Sequence, residues 1–159
     1  MKKIIQAFLD SKKIAIVGVS EKKDNWGKSI MNELTKKGYE ILPVNPKYEM
    51  IDSVKCYPSV KDLPADTVSV ILAVPPSVTE KVVEEMSGTG IKRVWMHRGV
   101  GKGASSEKAK ELCAKNSIDV VYGFCPMMFF GTGMHKFHFW MRKNLGKMPE
   151  VYLLSPEIG

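Results

Sequence analysis

The chain has 159 residues, 44% of them hydrophobic and 26% charged, and a formal charge of +7. That length fits one domain able to bury a core without disulfide or metal staples, and its longest apolar run, Val68 to Pro76, is too short to span a bilayer. The basic excess suits an anionic partner (nucleic acid, a phosphorylated cofactor or a membrane surface) without choosing among them.

Met1-Lys2-Lys3 imitates the start of a signal peptide, but Gln6, Asp10, Lys12 and Lys13 interrupt any apolar stretch, which argues against one. Ile4, Ile5, Phe8 and Leu9 repeat at helical spacing and predict a short first helix. Ile14 to Val17 follows as a strand, then Gly18-Val19-Ser20 and the polar loop Glu21 to Asn25. Asp24 or Asn25 should cap a helix whose buried face is Trp26, Ile30, Met31 and Leu34, stopped at Gly38. Tyr39 to Val44 reads as a second strand, and a brief third strand is expected over Val54 to Tyr57. Ser59 and Asp62 are spaced as a cap and its partner for one helical turn.

Thr67 to Val74 is β-branched and nearly uninterrupted, as a central strand covered on both faces should be. Pro75-Pro76 ends it, and Ser77 to Glu80 has the spacing of a capping box for a helix with Val82, Val83 and Met86 inward. Lys92 to Met96 is the fifth strand, followed by the glycine-rich loop His97 to Gly103. Ser105 or Ser106 caps a helix with Ala109, Leu112 and Cys113 facing in, and Ile118 to Tyr122 completes the sheet. Strands alternating with helices at this spacing mean a doubly wound α/β domain with a parallel sheet. One domain is expected over 1–159, with 127–159 as a C-terminal extension carrying an amphipathic helix with Phe137, Trp140, Met141 and Leu145 on one stripe.

Ligands of such a domain sit outside the carboxyl ends of the strands. Gly18, Val19 and Ser20, followed by Gly27 at a helix start, form a turn that lets backbone N–H groups approach a phosphate. Lys22, Trp26 and Lys28 lie in or beside the same loop. A dinucleotide site would ask for G-x-G-x-x-G and a carboxylate at the end of the second strand. Here the glycine after Gly18 is Gly27, and the second strand ends in Asn45-Pro46-Lys47. Lys47 suits a ribose that carries a phosphate, which keeps NADP in play.

The runs Ile14 to Ser20, Gly38 to Tyr48 and Cys56 to Ser59, with Ala73 to Pro76 and Val94 to Met96, resemble the coenzyme A-binding domain family of small bacterial proteins. That family is related in fold to the amino-terminal domain of the succinyl-CoA synthetase α subunit. The resemblance covers roughly residues 12 to 126. It implies a three-layer Rossmann-like domain with strand order 3-2-1-4-5-6 that binds coenzyme A (CoA) or an acyl-CoA. In that picture the first turn and Lys47 meet phosphates. Pro58 and Ser59 lie near the nucleotide, Val74, Pro75 and Pro76 pack along the adenine, and Tyr57 and Ala73 beside them are further cofactor-binding candidates. The family's usual glutamine-leucine-glycine after the fifth strand is replaced here by His97, Arg98 and Gly99.

Cys56, Cys113 and Cys125 show neither CxxC spacing nor an even count and fit a reducing cytoplasmic compartment. Cys125 ends the last strand on the ligand side. It is a candidate for a mixed disulfide with the CoA thiol, provided that neighbouring positive charge raises its thiolate fraction. No Ser/His/Asp arrangement, paired carboxylates or metal set is found at the strand ends, and His97 is the one candidate acid or base there. The expected function is therefore binding of a CoA-type molecule without catalysis, by a monomer or homodimer that engages no membrane and no specific nucleic acid. An NADP-dependent oxidoreductase, or another nucleotide-binding regulator, is the competing class.

Overall fold

The computed structural model describes residues 1–98 and 103–131, with Trp140, Asn144, Leu145 and Tyr152. Gly99, the expected C-terminal amphipathic helix and most of the extension from 127 onward lie outside the described residues.

Helix α1 (Lys2–Leu9) leads into strand β1 (Lys13–Val17), and α2 (Trp26–Lys36) carries the chain to β2 (Glu40–Val44). Two short strands, β3 (Met50–Ile51) and β4 (Val54–Lys55), and a 3-10 turn at Val60–Asp62 come next. The alternation then resumes with β5 (Ser69–Leu72), α3 (Pro76–Glu85), β6 (Arg93–Met96), α4 (Glu107–Lys115), β7 (Asp119–Tyr122) and α5 (Met127–Phe130). The main sheet has the order β2-β1-β5-β6-β7, and all its pairings are parallel. Ala15 stands beside Leu42 on one side and Val70 on the other. The direction of winding reverses at the β1–β5 pair, the crevice where ligands of such sheets bind.

Side chains alternate across the sheet with period two. Ile14, Ile16, Ile71 and Trp95 point into one core with Phe8 of α1 and Ile30 and Leu34 of α2. Ala15, Val17, Val70, Leu72, Val94 and Met96 point into the other, with Val83 of α3 and Ala109 and Cys113 of α4. Trp95 is fully buried, its indole N–H donating to the Phe124 carbonyl at 3.1 Å. Burial of such a ring contributes on the order of 1.5–3 kcal/mol, and the hydrogen bond spares it an unmet donor. The three-layer Rossmann-like fold is thus present.

Three local expectations need correction. The third strand joins the sheet only as a bridge, Tyr57 running parallel beside Val44 outside β2. Val54 and Lys55 instead pair antiparallel with Lys55↔Met50 and Val54↔Ile51. The two-residue loop between them, Asp52 and Ser53, has φ of 47° and 63°. Positive φ at both positions matches the twist of a tight hairpin, which draws this segment away from the sheet. Helix α3 begins at Pro76 with Pro75 as N-cap and no side-chain cap bond, so the capping box at Ser77 is not formed. Proline at the first helical position has its φ preset and no N–H to satisfy, so the helix starts directly at the strand's end.

The third correction concerns Trp26, which is 52% exposed and not in the core. Gly27 takes the inward place with Ile30, Met31 and Leu34. A Cβ on Gly27 would stand 2.7 Å from the Gly18 carbonyl oxygen, so α2 lies directly on the first turn and its first side chain is turned outward.

Candidate functional site

The turn after β1 is built by two asparagines. Gly18 has φ of +95°, and its N–H donates to the Val44 carbonyl at 3.0 Å. Asn25 caps α2 by accepting from the Lys28 N–H at 2.7 Å, accepts from the Ser20 N–H at 3.1 Å, and donates to the Gly18 carbonyl at 3.1 Å. One side chain therefore closes the loop into a ring. Asn45, at the end of β2, donates to the Val19 carbonyl at 2.8 Å and accepts from the Lys47 N–H at 2.9 Å. The amide groups of Ser20 and Lys28 are thus committed within the protein, and what the turn offers is shape and close backbone approach.

Two cavities, each of about 310 Å³, open at the carboxyl ends of the strands. The first lies between the ends of β1 and β2, the segment Pro58 to Val60 and the face of α3; Gly18, Asn45, Pro46 and Ser59 are among its walls. The second lies between the start of α2 and the ends of β5 and β6, walled by Trp26, Ala73, Pro75, Pro76, His97 and the Gly103-Ala104 turn. Val74 borders both. A larger hollow of about 470 Å³ follows β7 and α4 at the outer edge of the sheet and includes none of the sequence-predicted residues.

The first cavity contains residues that sequence reasoning passed over. Val78, Lys81, Val82 and Glu85 of α3 all line it. Their spacing of i, i+3, i+4, i+7 marks one helix face, the signal that could have found them. The Ser59 hydroxyl donates to Glu85 Oε2 at 2.8 Å and accepts from the Lys61 N–H at 3.2 Å, so Ser59 both caps the 3-10 turn and fixes the carboxylate.

In the second cavity His97 is 4% exposed, and burial holds its imidazole down at about 4, so it is neutral near pH 7. Its Nε2 is shut off from solvent with no hydrogen-bond partner among the described residues. The ring lies 5.5 Å from that of Trp26, centroid to centroid. The chain returns tightly past it: Ala104 N–H donates to the His97 carbonyl at 2.8 Å, and a Cβ on Gly103 would stand 2.5 Å from that oxygen.

The remaining candidates scatter around this pair of cavities. Lys22 and Lys47 are exposed. Lys28 is held between Asp52 at 2.7 Å and Glu21 at 2.8 Å. Burial lowers its pKa, but the hydrogen bonds to Asp52 and Glu21 outweigh that and keep it above its ordinary value. Arg98 is exposed and makes no ion pair among the described residues. Tyr57 stays outside both cavities, with the Lys55 ammonium 4.9 Å from its ring. Cys125 also borders neither cavity; it is buried in the core that holds Trp95 and Phe124. Burial raises its thiol pKa, opposite to the shift that a mixed disulfide requires.

A profile of the CoA binding domain matches residues 12–130. The chain belongs to the CoA-binding domain family. The ADP-forming acetate–CoA ligase of Methanocaldococcus jannaschii is 35% identical over 118 residues, which are 72% of this chain and 17% of that ligase. The chain thus spans about a sixth of that ligase's length. Uncharacterized protein YneT of Bacillus subtilis is 30% identical over 127 residues, covering 79% of this chain and 87% of YneT. Among solved structures, a conserved hypothetical protein from Pyrococcus furiosus superposes with a TM-score of 0.68 at 38% identity, covering 73% of this chain and 97% of that one. Among the described residues of this CoA-binding domain, no helix is long and apolar enough to cross a membrane.

Proposed function

We propose that this protein binds CoA or a short acyl-CoA across the two cavities and performs no chemistry on it. The observation that carries the reading is that two cavities of similar size meet at Val74, beside the Gly18 turn, where the winding of the sheet reverses. A CoA molecule is itself bipartite. Its adenosine fits the cavity under α3, its diphosphate crosses the Gly18 turn, and its pantetheine arm runs toward Trp26 and His97. Lys47 and Lys22 stand exposed to supply positive charge. Each cavity lies at the small end of the roughly 300–1,000 Å³ range of ligand pockets, so neither would hold CoA alone.

Of the described side chains around the cavities, His97, Lys81 and Glu85 can ionise, and His97 lines the second cavity while Lys81 and Glu85 line the first. The imidazole, the usual acid–base group near neutral pH, is thus set apart from the carboxylate and the ammonium, which supports binding without catalysis. The three cysteines are free and buried, which suits a reducing cytoplasm.

Isothermal titration with CoA, acetyl-CoA and NADP, beside mass spectrometry of ligand extracted from the purified protein, tests this reading. CoA or its acetyl ester should bind, and CoA-type molecules should be recovered from the extract. Tighter binding of NADP, or no binding of any of the three, would overturn it.

A further inference from the structure

The cavity under α3 has a chemical polarity that the CoA-binding assignment does not itself specify. Its walls are largely apolar, with Val44, Val60, Val74, Val78 and Val82 around the space. Two charged groups of α3 interrupt them, Lys81 and Glu85, one helical turn apart. Glu85 is half-buried, and its Oε2 is committed to the Ser59 hydroxyl. Oε1 has no hydrogen-bond partner among the described residues and is the acceptor open to a ligand. Lys81 is exposed and makes no hydrogen bond or ion pair among the described residues, although Glu85 is four positions away on the same helix.

We propose that this cavity reads the adenine base through Glu85, which accepts a hydrogen bond from the exocyclic amine, and that Lys81 at the cavity's edge pairs with the ribose phosphate. The assignment rests on the CoA reading and deepens it. The apolar walls suit the faces of a flat heterocycle, whereas a phosphate among them would meet a carboxylate and lose its hydration. Phosphate therefore belongs outside, where Lys81 is solvated and mobile enough to meet it. A single acceptor matches the single amine of adenine. Guanine presents two donors on one edge and would compete with Ser59 for the second carboxylate oxygen. The Ser59 bond also fixes the rotamer of Glu85 before any ligand arrives, so less is lost in ordering it.

The test compares adenosine 3′,5′-bisphosphate with its inosine counterpart, in which the amine is replaced by a carbonyl, on the unaltered protein and on Glu85→Met. The unaltered protein should prefer the adenosine form by about ten-fold or more, the scale of a hydrogen bond to a charged group. In Glu85→Met the preference should fall to near unity, with a cooperative thermal transition showing that the variant is folded. In parallel, Lys81→Met should weaken CoA but leave dephospho-CoA, which lacks the ribose phosphate, unchanged. Equal binding of the two bisphosphates by a protein that binds CoA would overturn the Glu85 assignment alone. A loss seen only with the 2′-deoxyadenosine bisphosphate would also overturn it, placing the carboxylate on the sugar. Equal weakening of CoA and dephospho-CoA by Lys81→Met would overturn the phosphate assignment. Absence of CoA binding to the unaltered protein would overturn both this proposal and the reading beneath it.

Discussion

Gly18 and Val74 approach so closely that a Cβ on Gly18 would stand 2.7 Å from Val74 Cγ1 and 2.6 Å from the Ala73 carbonyl oxygen. These two residues follow the neighbouring strands β1 and β5; Val74 borders both cavities, and Gly18 packs against it from the cavity under α3. Gly18→Ala therefore faces both the steric conflict and a φ of +95° that a side chain resists. The expected cost is at least about 1–3 kcal/mol from the backbone alone. A lower urea midpoint together with weaker CoA binding is the outcome to look for; a variant as stable and as tight-binding as the parent would show that this contact yields. Gly27→Ala offers the complementary experiment, because the conflict there is with the Gly18 carbonyl and involves no positive φ.

Asn25 should be the most sensitive polar residue of the loop. Its side chain makes three hydrogen bonds, to Ser20, Gly18 and Lys28. Asn25→Ala loses the helix cap, about 1 kcal/mol by itself, and releases the turn as well. Asn25→Asp keeps both accepting bonds but sets a carboxylate oxygen against the Gly18 carbonyl. Denaturation should rank the parent above Asp and Asp above Ala, with CoA affinity following the same order. An Asp variant equal to the parent would mean that the bond to Gly18 contributes little.

Much of this arrangement is legible in the residues themselves. Ile14 to Val17 and Val70 to Leu72 announce buried strands, and the Asn25 and Ser106 caps fall where local chemistry puts them. The third strand is expected, but its antiparallel pairing with Met50–Ile51 was not legible, because Asp52-Ser53 lacks the glycine that usually marks a hairpin with two positive φ values. Trp26 misleads for a different reason. A hydrophobic pattern assigns the large residue to the core, whereas contact between Gly27 and the Gly18 backbone decides which way the helix faces. Glu85 and Lys81 look like ordinary surface charge on an amphipathic helix. Only the fold shows that the segment around Ser59 passes over them.

The burial of neutral His97 makes stability depend on pH. Its pKa is about 4 in the folded protein against an ordinary 6.5. As pH falls through the upper value the unfolded chain takes up a proton that the folded chain refuses. The unfolded state then binds more protons, so the stability present above about 6.5 is lost progressively down to about 4. The loss reaches about 3 kcal/mol at the lower end. Urea titrations of the parent and of His97→Gln at about pH 7.5 and about pH 4.5 separate this contribution from that of carboxylates. The parent should lose more than the variant. Equal losses, or an imidazole seen by NMR to protonate near its ordinary value, would contradict a sealed neutral ring.

Cys125 supplies the last prediction, and here burial opposes the chemistry that its position invites. Burial pushes its thiol up, a backbone hydrogen bond at Met127 pulls it partly back, and the net shift is upward. Cys113 is pushed to about 11, and the Cys56 thiol is raised by burial as well. The thiolate is the attacking species in disulfide exchange, so all three should react slowly while the protein is folded. Incubation with oxidised CoA followed by intact-mass analysis should show no adduct under native conditions, while denaturation should expose all three thiols to a disulfide reagent. An adduct that forms in the native protein and disappears in Cys125→Ser would reverse this conclusion, since it would require the ligand-side thiol to reach solvent and ionise despite its packing with the core around Trp95 and Phe124.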